Sequence, residues 1–345
     1  MKIIIDAMGG DNAPQAIVEG ALKAAEEFGA EMILVGRGEE ILSSMRQCGY
    51  ETLPKGVEIC HADDVVDMHA EASEVVKQHK GSSMVKGLKM LADGEGDAFI
   101  SAGNTGALLT GATLLVKRIK GIRRAAFAPV LPIGKGTILV DAGANVVCTP
   151  EFLLQFGCMG SFYSQKAQGK KNPRVALLNN GVEDCKGDDL HKESYRLLKE
   201  AGEKGLINFV GNIEAREAVG GDIDVLVADG FSGNVFLKTI EGTALYMAGL
   251  IKGMFYKNIL TKIGALLCKK GEAIKKALDY REVGGSLILG ISKPVIKAHG
   301  SSDARAVRSA IRQAIRAVES GYCSDIKDHV QSMSLPKEVK DVQSS

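Results

Sequence analysis

Eight short runs of apolar, often β-branched residues recur through the first two thirds of the chain: KIIID (2–6), EMILVG (31–36), GVEIC (56–60), DAFIS (97–101), GTILVD (136–141), RVALLN (174–179), LINFVG (206–211) and DIDVLVAD (222–229). Between them lie helical patterns such as APQAIVEGALKAAEEFG and GDDLHKESYRLLKEAGEKG. Strand and helix in alternation predict a mostly parallel, doubly wound α/β sheet in a three-layer α/β/α arrangement. Strands that are apolar almost throughout fit a sheet covered on both faces. The chain of 345 residues suffices for one two-lobed α/β unit over 1–330, with a polar tail over 331–345.

In such a sheet, ligands gather outside the carboxyl ends of the strands. Six strand-following stretches carry Gly with Asn, Asp or Ser: DAMGGDNAP (6–14), SAGNTGA (101–107), DAGANVV (141–147), NNGVEDCKGDD (179–189), GNIEAR (211–216) and DGFSGN (229–234). Any one of them is an ordinary βα turn. All six together, with AHGSS (298–302), predict one shared cleft.

Past residue 234 the strand signal stops, and a helical hairpin is expected over about 240–278 with a break near Gly264. Between Lys252 and Lys276 stand seven lysines and one acid, Glu272. Ile259, Leu260, Ile263, Leu266 and Leu267, flanked by Lys257, Lys262, Lys269 and Lys270, fit either a core helix pair with a solvated lysine fringe or a basic, apolar-tipped contact for a membrane or an acidic protein. The sequence then returns to strand, turn and helix, with Ser302 or Asp303 as N-cap.

Several chemistries are disfavoured. A net charge of +1 argues against a whole-surface nucleic-acid binder. The seven cysteines form no CxxC pair and the first residues show no apolar leader, so a reduced, cytoplasmic chain is expected. No metal-ligand spacing is found, and no metal or cofactor is expected. The best dinucleotide candidate, GRGEEI (36–41), has Ile41 where a third glycine is needed, and neither a Walker pattern nor a nucleophile elbow is present.

A reaction without a nucleophile and base of its own suits an attacking group that arrives ionised, such as phosphate. The protein then supplies a cradle, donors to an oxyanion, and orientation. Gly103, Asn104, Thr105 and Gly106 offer donors at a helix start, and Lys186, among four acids in EDCKGDD, competes between a local ion pair and phosphate. Asn234 is placed to donate to an oxyanion. His299 stands either as a proton donor or as a structural residue. Asp6 and Asp11, flanking Gly9 and Gly10, orient neighbouring N–H groups or bind a polar part of the partner. Ser101, Asn145, Asn179, Asp229 and Gly233 complete the candidate phosphate and substrate contacts.

In order along residues 1–320, the motifs DAMGGDNAP, SSM, SAGNTGA, DAGAN, NNGVEDCKG, FVGNIEAR, DGFSGNVFLKTIEG and AHGSSDARAV resemble the bacterial acyl-acyl-carrier-protein:phosphate acyltransferases of the PlsX type. The resemblance implies transfer of a fatty acyl group from acyl carrier protein to inorganic phosphate, giving acyl phosphate for phospholipid synthesis. It implies an isocitrate-dehydrogenase-like fold, a homodimer, and a peripheral contact between the hairpin and an anionic membrane surface. The partners it implies are acyl carrier protein, inorganic phosphate and a downstream acyltransferase that consumes acyl phosphate. Two rival readings are a phosphate acetyltransferase using coenzyme A and a non-catalytic membrane scaffold for fatty-acid synthesis.

Overall fold

Alternation along the first strand sets the layering. In β1 (Lys2–Asp6), Ile3 and Ile5 enter one apolar cluster while Ile4 enters another on the opposite face. The same division recurs in β2 (Glu31–Gly36), β4 (Ala98–Ser101) and β7 (Arg174–Asn179), so helices cover both faces of the strands. The computed structural model describes residues 1–131, 136–255 and 284–333.

The strands form two sheets. The larger has the order β3-β2-β1-β4-β11-β10-β5, with β3 (Val57–His61), β5 (Ala126–Pro129), β10 (Gly285–Leu289) and β11 (Val295–Ala298). The smaller has the order β6-β9-β7-β8, with β6 (Ile138–Val140), β8 (Asn208–Glu214) and β9 (Val225–Val227), all parallel. In the larger sheet β10 pairs antiparallel with both β11 and β5, and the other pairings are parallel.

The layers follow the two clusters. One holds α1 (Gln15–Phe28), α6 (Pro150–Ala167), α7 (Asp189–Glu203) and two helices near the end, α10 (Ala304–Ser320) and α11 (Tyr322–His329). The other holds α4 (Ser83–Asp93), α5 (Thr105–Gly111) and the start of α9 (Gly230–Phe255). The remaining helices, α2 (Gly38–Gln47), α3 (Val75–Gln78) and α8 (Ala215–Ala218), are short. Asp303 is the N-cap of α10, its carboxylate accepting from the Ala306 N–H at 2.9 Å.

The structure departs from the sequence reading in two places. The strands divide between two sheets. The stretch GNIEAR is strand as far as Glu214, because β8 stays paired to β7 past an irregularity between Val175 and Leu177. The hairpin residues from 256 onward, including Gly264 and the apolar and lysine positions named for contact, lie outside the described residues.

Asp141 joins the sheets. Its buried carboxylate, one residue past β6, accepts from the Phe127 N–H of β5 at 3.0 Å. It also accepts from the N–H groups of Gly143, Ala144 and Asn145 and from the Asn145 amide, at 3.2, 3.0, 2.7 and 2.9 Å. Burial raises its pKa, and these donors pull it back. Asp141→Ala strands these donors, four of them backbone N–H groups, and should cost at least about 3 kcal/mol in a urea unfolding curve. A loss under about 1 kcal/mol would show that the joint does not depend on this carboxylate.

Candidate active site

Two groups of loops stand at the carboxyl ends of the strands. The first follows β1, β4 and β11, which are neighbours in the larger sheet. The Asp11 N–H donates to the Gly300 carbonyl at 2.8 Å, tying the loop after β1 to the loop after β11. Gly9 lies so close to the loop after β4 that an added Cβ would stand 2.7 Å from the Gly103 nitrogen, so no side chain fits there.

Beneath this junction, Asp6 is buried. Its carboxylate accepts from the hydroxyls of Ser83 and Ser101, each at 2.6 Å, and from the Met8 N–H at 3.2 Å. Burial lifts its pKa, and these hydrogen bonds work against that shift. The carboxylate thus ties the loop after β1 to α4 and to the end of β4. Ser101 passes the connection on, accepting from the Gly103 N–H at 3.0 Å.

Asn104 works in the same way. Its Oδ1 caps α5 through the Ala107 N–H at 2.9 Å, and its Nδ2 donates to the carbonyls of Met68 and Ala70 at 2.8 and 3.1 Å. Thr105 beside it is exposed, and Gly106 is half-buried.

The second group follows β6, β9 and β7. The Asn145 amide bonds Asp141 and the Ala125 carbonyl, and Asp229 caps α9 by accepting from the N–H groups of Phe231 and Ser232, both at 3.0 Å. Gly233 packs against the chain end of β6: a Cβ there would lie 2.0 Å from the Asp141 carbonyl oxygen. Asn234 is exposed, and its Nδ2 donates to the Ala142 carbonyl at 3.1 Å, which leaves one amide hydrogen for a ligand.

Asn179 holds the next loop by donating to the Lys186 carbonyl at 3.2 Å. The Lys186 ammonium is exposed and makes no ion pair among the described residues. Two of the four acids nearby are engaged elsewhere, Asp184 with Lys199 at 3.6 Å and Asp188 with His191 at 2.7 Å. The local ion pair that competed for Lys186 on sequence is thus not formed.

The start of α9 connects the two groups. Lys238, one turn beyond Asn234, lies near enough to lower the pKa of His299, behind burial as the main cause, while Glu241 raises it. His299 Nδ1 accepts from the Ser301 N–H at 3.3 Å, which places the proton of the neutral ring on Nε2. The same field acts on Lys297, which the sequence reading passed over inside the apolar run PVIKA.

Cys148 lies beside the second group, half-buried, its thiol 3.3 Å from the Asn145 carbonyl. Burial pushes its pKa up to about 11, which disfavours the thiolate a nucleophile would need. Among the described residues, no group of His, Cys, Asp and Glu is arranged to hold a metal ion. Two cavities of about 570 and 410 Å³ share Phe162, Gln165, Lys171 and His329, residues of the α6 end, the segment before β7 and α11, and neither is lined by these loops.

A family model described as fatty acid synthesis protein matches residues 1–325. A phosphate acyltransferase of Alkaliphilus oremlandii is 47% identical over 335 residues, covering 96% of this chain and 98% of the relative. One of Bacillus licheniformis is 45% identical over 335 residues, with coverage of 96% and 98%. Among solved structures, a phosphotransacetylase from Streptococcus pyogenes superposes with a TM-score of 0.62 at 17% identity over 94% of both chains. A putative 4-hydroxythreonine-4-phosphate dehydrogenase from Salmonella typhimurium gives 0.53 at 14% identity, covering 92% of this chain and 99% of the other. These last two share the fold. The extent and identity of the sequence matches place the chain in the fatty acid synthesis protein family, among the phosphate acyltransferases.

Proposed function

We propose that the protein transfers a fatty acyl group from the thioester of acyl carrier protein to inorganic phosphate, releasing acyl phosphate and the carrier thiol. The observation that carries this reading is the kind of group left available at the strand ends. Asn104, Asn145, Asn179 and Asp229 are committed to the loop backbones, and the half-buried Cys148 thiol resists ionisation. The groups left open include Lys186, Thr105, one hydrogen of Asn234 and the backbone of glycine-rich turns. Such donors orient and neutralise, which suits a substrate oxyanion as nucleophile.

In the reaction a phosphate oxygen forms a bond to the thioester carbonyl carbon, and the carbonyl electrons move onto its oxygen. When the carbonyl re-forms, the C–S bond breaks and the thiolate leaves, later taking a proton from water. Lys186 neutralises phosphate, Asn234 with loop N–H groups holds the carbonyl oxygen, and Gly9, Gly10, Gly103 and Gly106 let backbone approach the ligand. Asp11 takes the polar arm of the acyl donor. A free thiol has a pKa of about 8.5, so its departure near neutral pH needs little acid assistance.

We also assign the chain to the cytoplasm, as a homodimer that touches an anionic membrane surface. The course of α9 supports this. After Phe236, Leu237 and Ile240 pack on the core, its second half presents Leu245, Tyr246, Met247, Leu250 and Met254 to solvent. A helix end this apolar marks a contact surface. No helix among the described residues is long and apolar enough to cross a membrane.

Three outcomes are expected. Lys186→Ala should lower turnover of acyl carrier protein thioester with phosphate by about 10²-fold or more in a folded protein; a rate near wild type at saturating phosphate removes the residue from the mechanism. Asn234→Ala should cost more turnover than His299→Ala, and a histidine variant that is folded but dead would make His299 the proton donor. Replacing Ile263 and Leu266 by Glu should release the protein from anionic vesicles in a flotation assay without unfolding it, whereas undiminished binding would move the membrane contact elsewhere.

A further inference from the structure

Across the ends of three adjacent strands, Asp6 of β1, Ser101 of β4 and Lys297 of β11 form a row. Ser101 donates to Asp6, and Lys297 is the register partner of Ser101. Lys297 is 9% exposed. Its ammonium donates to the Ala102 carbonyl at 3.2 Å and to the Ala298 carbonyl. Two of its three N–H groups are so used, and nothing among the described residues takes the third.

A cation that served only to balance Asp6 would be expected to touch it. Asp6 instead has its oxygens filled by Ser83, Ser101 and the Met8 N–H, and Lys297 makes no ion pair among the described residues. A buried ammonium without a bonded counter-charge is costly, and here it is held where the loops after β1, β4 and β11 converge. An anion seated among these turns would take the open donor and supply the missing charge.

We propose that Lys297 is a second, buried phosphate-binding cation of this site, its third N–H donating to a phosphate oxygen held between the turns at Gly9–Asp11, Ala102–Gly106 and His299–Ser302. Lys186, on the loop after β7, then shares the neutralisation of phosphate with it. The proposal rests on the phosphate acyltransferase reading. The charged and titratable groups that bear on Lys297 are Asp6 on β1, Asp11 in the loop after it and Lys238 on α9, with His299 two residues further along. Burial lowers the Lys297 pKa to about 8, against the pull of Asp6 and Asp11 and with a push from Lys238. Its charge is therefore present below that pH and lost above it.

The test measures binding of radiolabelled inorganic phosphate by equilibrium dialysis and, separately, the KM for phosphate and for the acyl donor between pH 6.5 and 9.5. Lys297→Met, which keeps the stem and removes the charge, should weaken phosphate binding and raise its KM about 30-fold, leaving the acyl-donor KM within about twofold. Lys297→Arg should restore most of the phosphate affinity. In the wild type, phosphate affinity should fall as pH rises through about 8, and in the arginine variant that fall should vanish. A folded Lys297→Met protein that binds phosphate as the wild type does overturns the proposal. So does wild-type affinity that stays flat from pH 7.5 to 9.5, a measurement that decides the matter even if the methionine variant fails to fold. Phosphate binding that depends on Lys297 in a wild type without acyl transfer would instead refute the reaction and keep the site.

Discussion

The carboxylate of Asp141 is the contact on which the two-sheet architecture turns. It sits where β6 ends and draws N–H groups from β5 in the other sheet and from its own following turn. A charge so buried is tolerable only because several donors converge on it. That convergence fixes the turn at Gly143–Asn145, and the turn positions Asn234 through the Ala142 carbonyl and Gly230 through the Asn145 carbonyl. Asp6 repeats the device in the larger sheet. Both loop groups are thus organised around a buried acid at a strand end.

Much of this was open to sequence reasoning, for a definite reason. Runs such as KIIID, EMILVG and RVALLN are strands buried on both faces, so apolar character alone betrays them, and β1, β2 and β7 end where the runs end. β5 was missed because AFAP is four residues long and ends in Pro129. The antiparallel course of β10 is set by its partners, β11 and β5, and not by any pattern within GSLIL. The division into two sheets is likewise a matter of which edges meet.

The site was legible in its loops and less so in its side chains. Gly and Asn at strand ends mark turns, but whether an Asn faces a ligand or its own backbone depends on contacts far along the chain, as with Asn104 and the carbonyls of Met68 and Ala70. Lys297 escaped notice because a lysine within PVIKA reads as an edge position, whereas its stem runs beneath a neighbouring loop to Ala102. Lys186 stands among four acids in the sequence, and in the fold two of them, Asp184 and Asp188, turn to Lys199 and His191.

The 26 residues of α9 make one unbroken helix, a rod of about 39 Å. Its first turn is clamped by the Asp229 cap and by Gly233 lodged against β6, and its other end stands in solvent with an apolar surface. A rod anchored at one end behaves as a lever. The exposed Leu250 and Met254 therefore lie on the same lever as Asn234 and Lys238, and a displacement at one end of the rod is carried to the other.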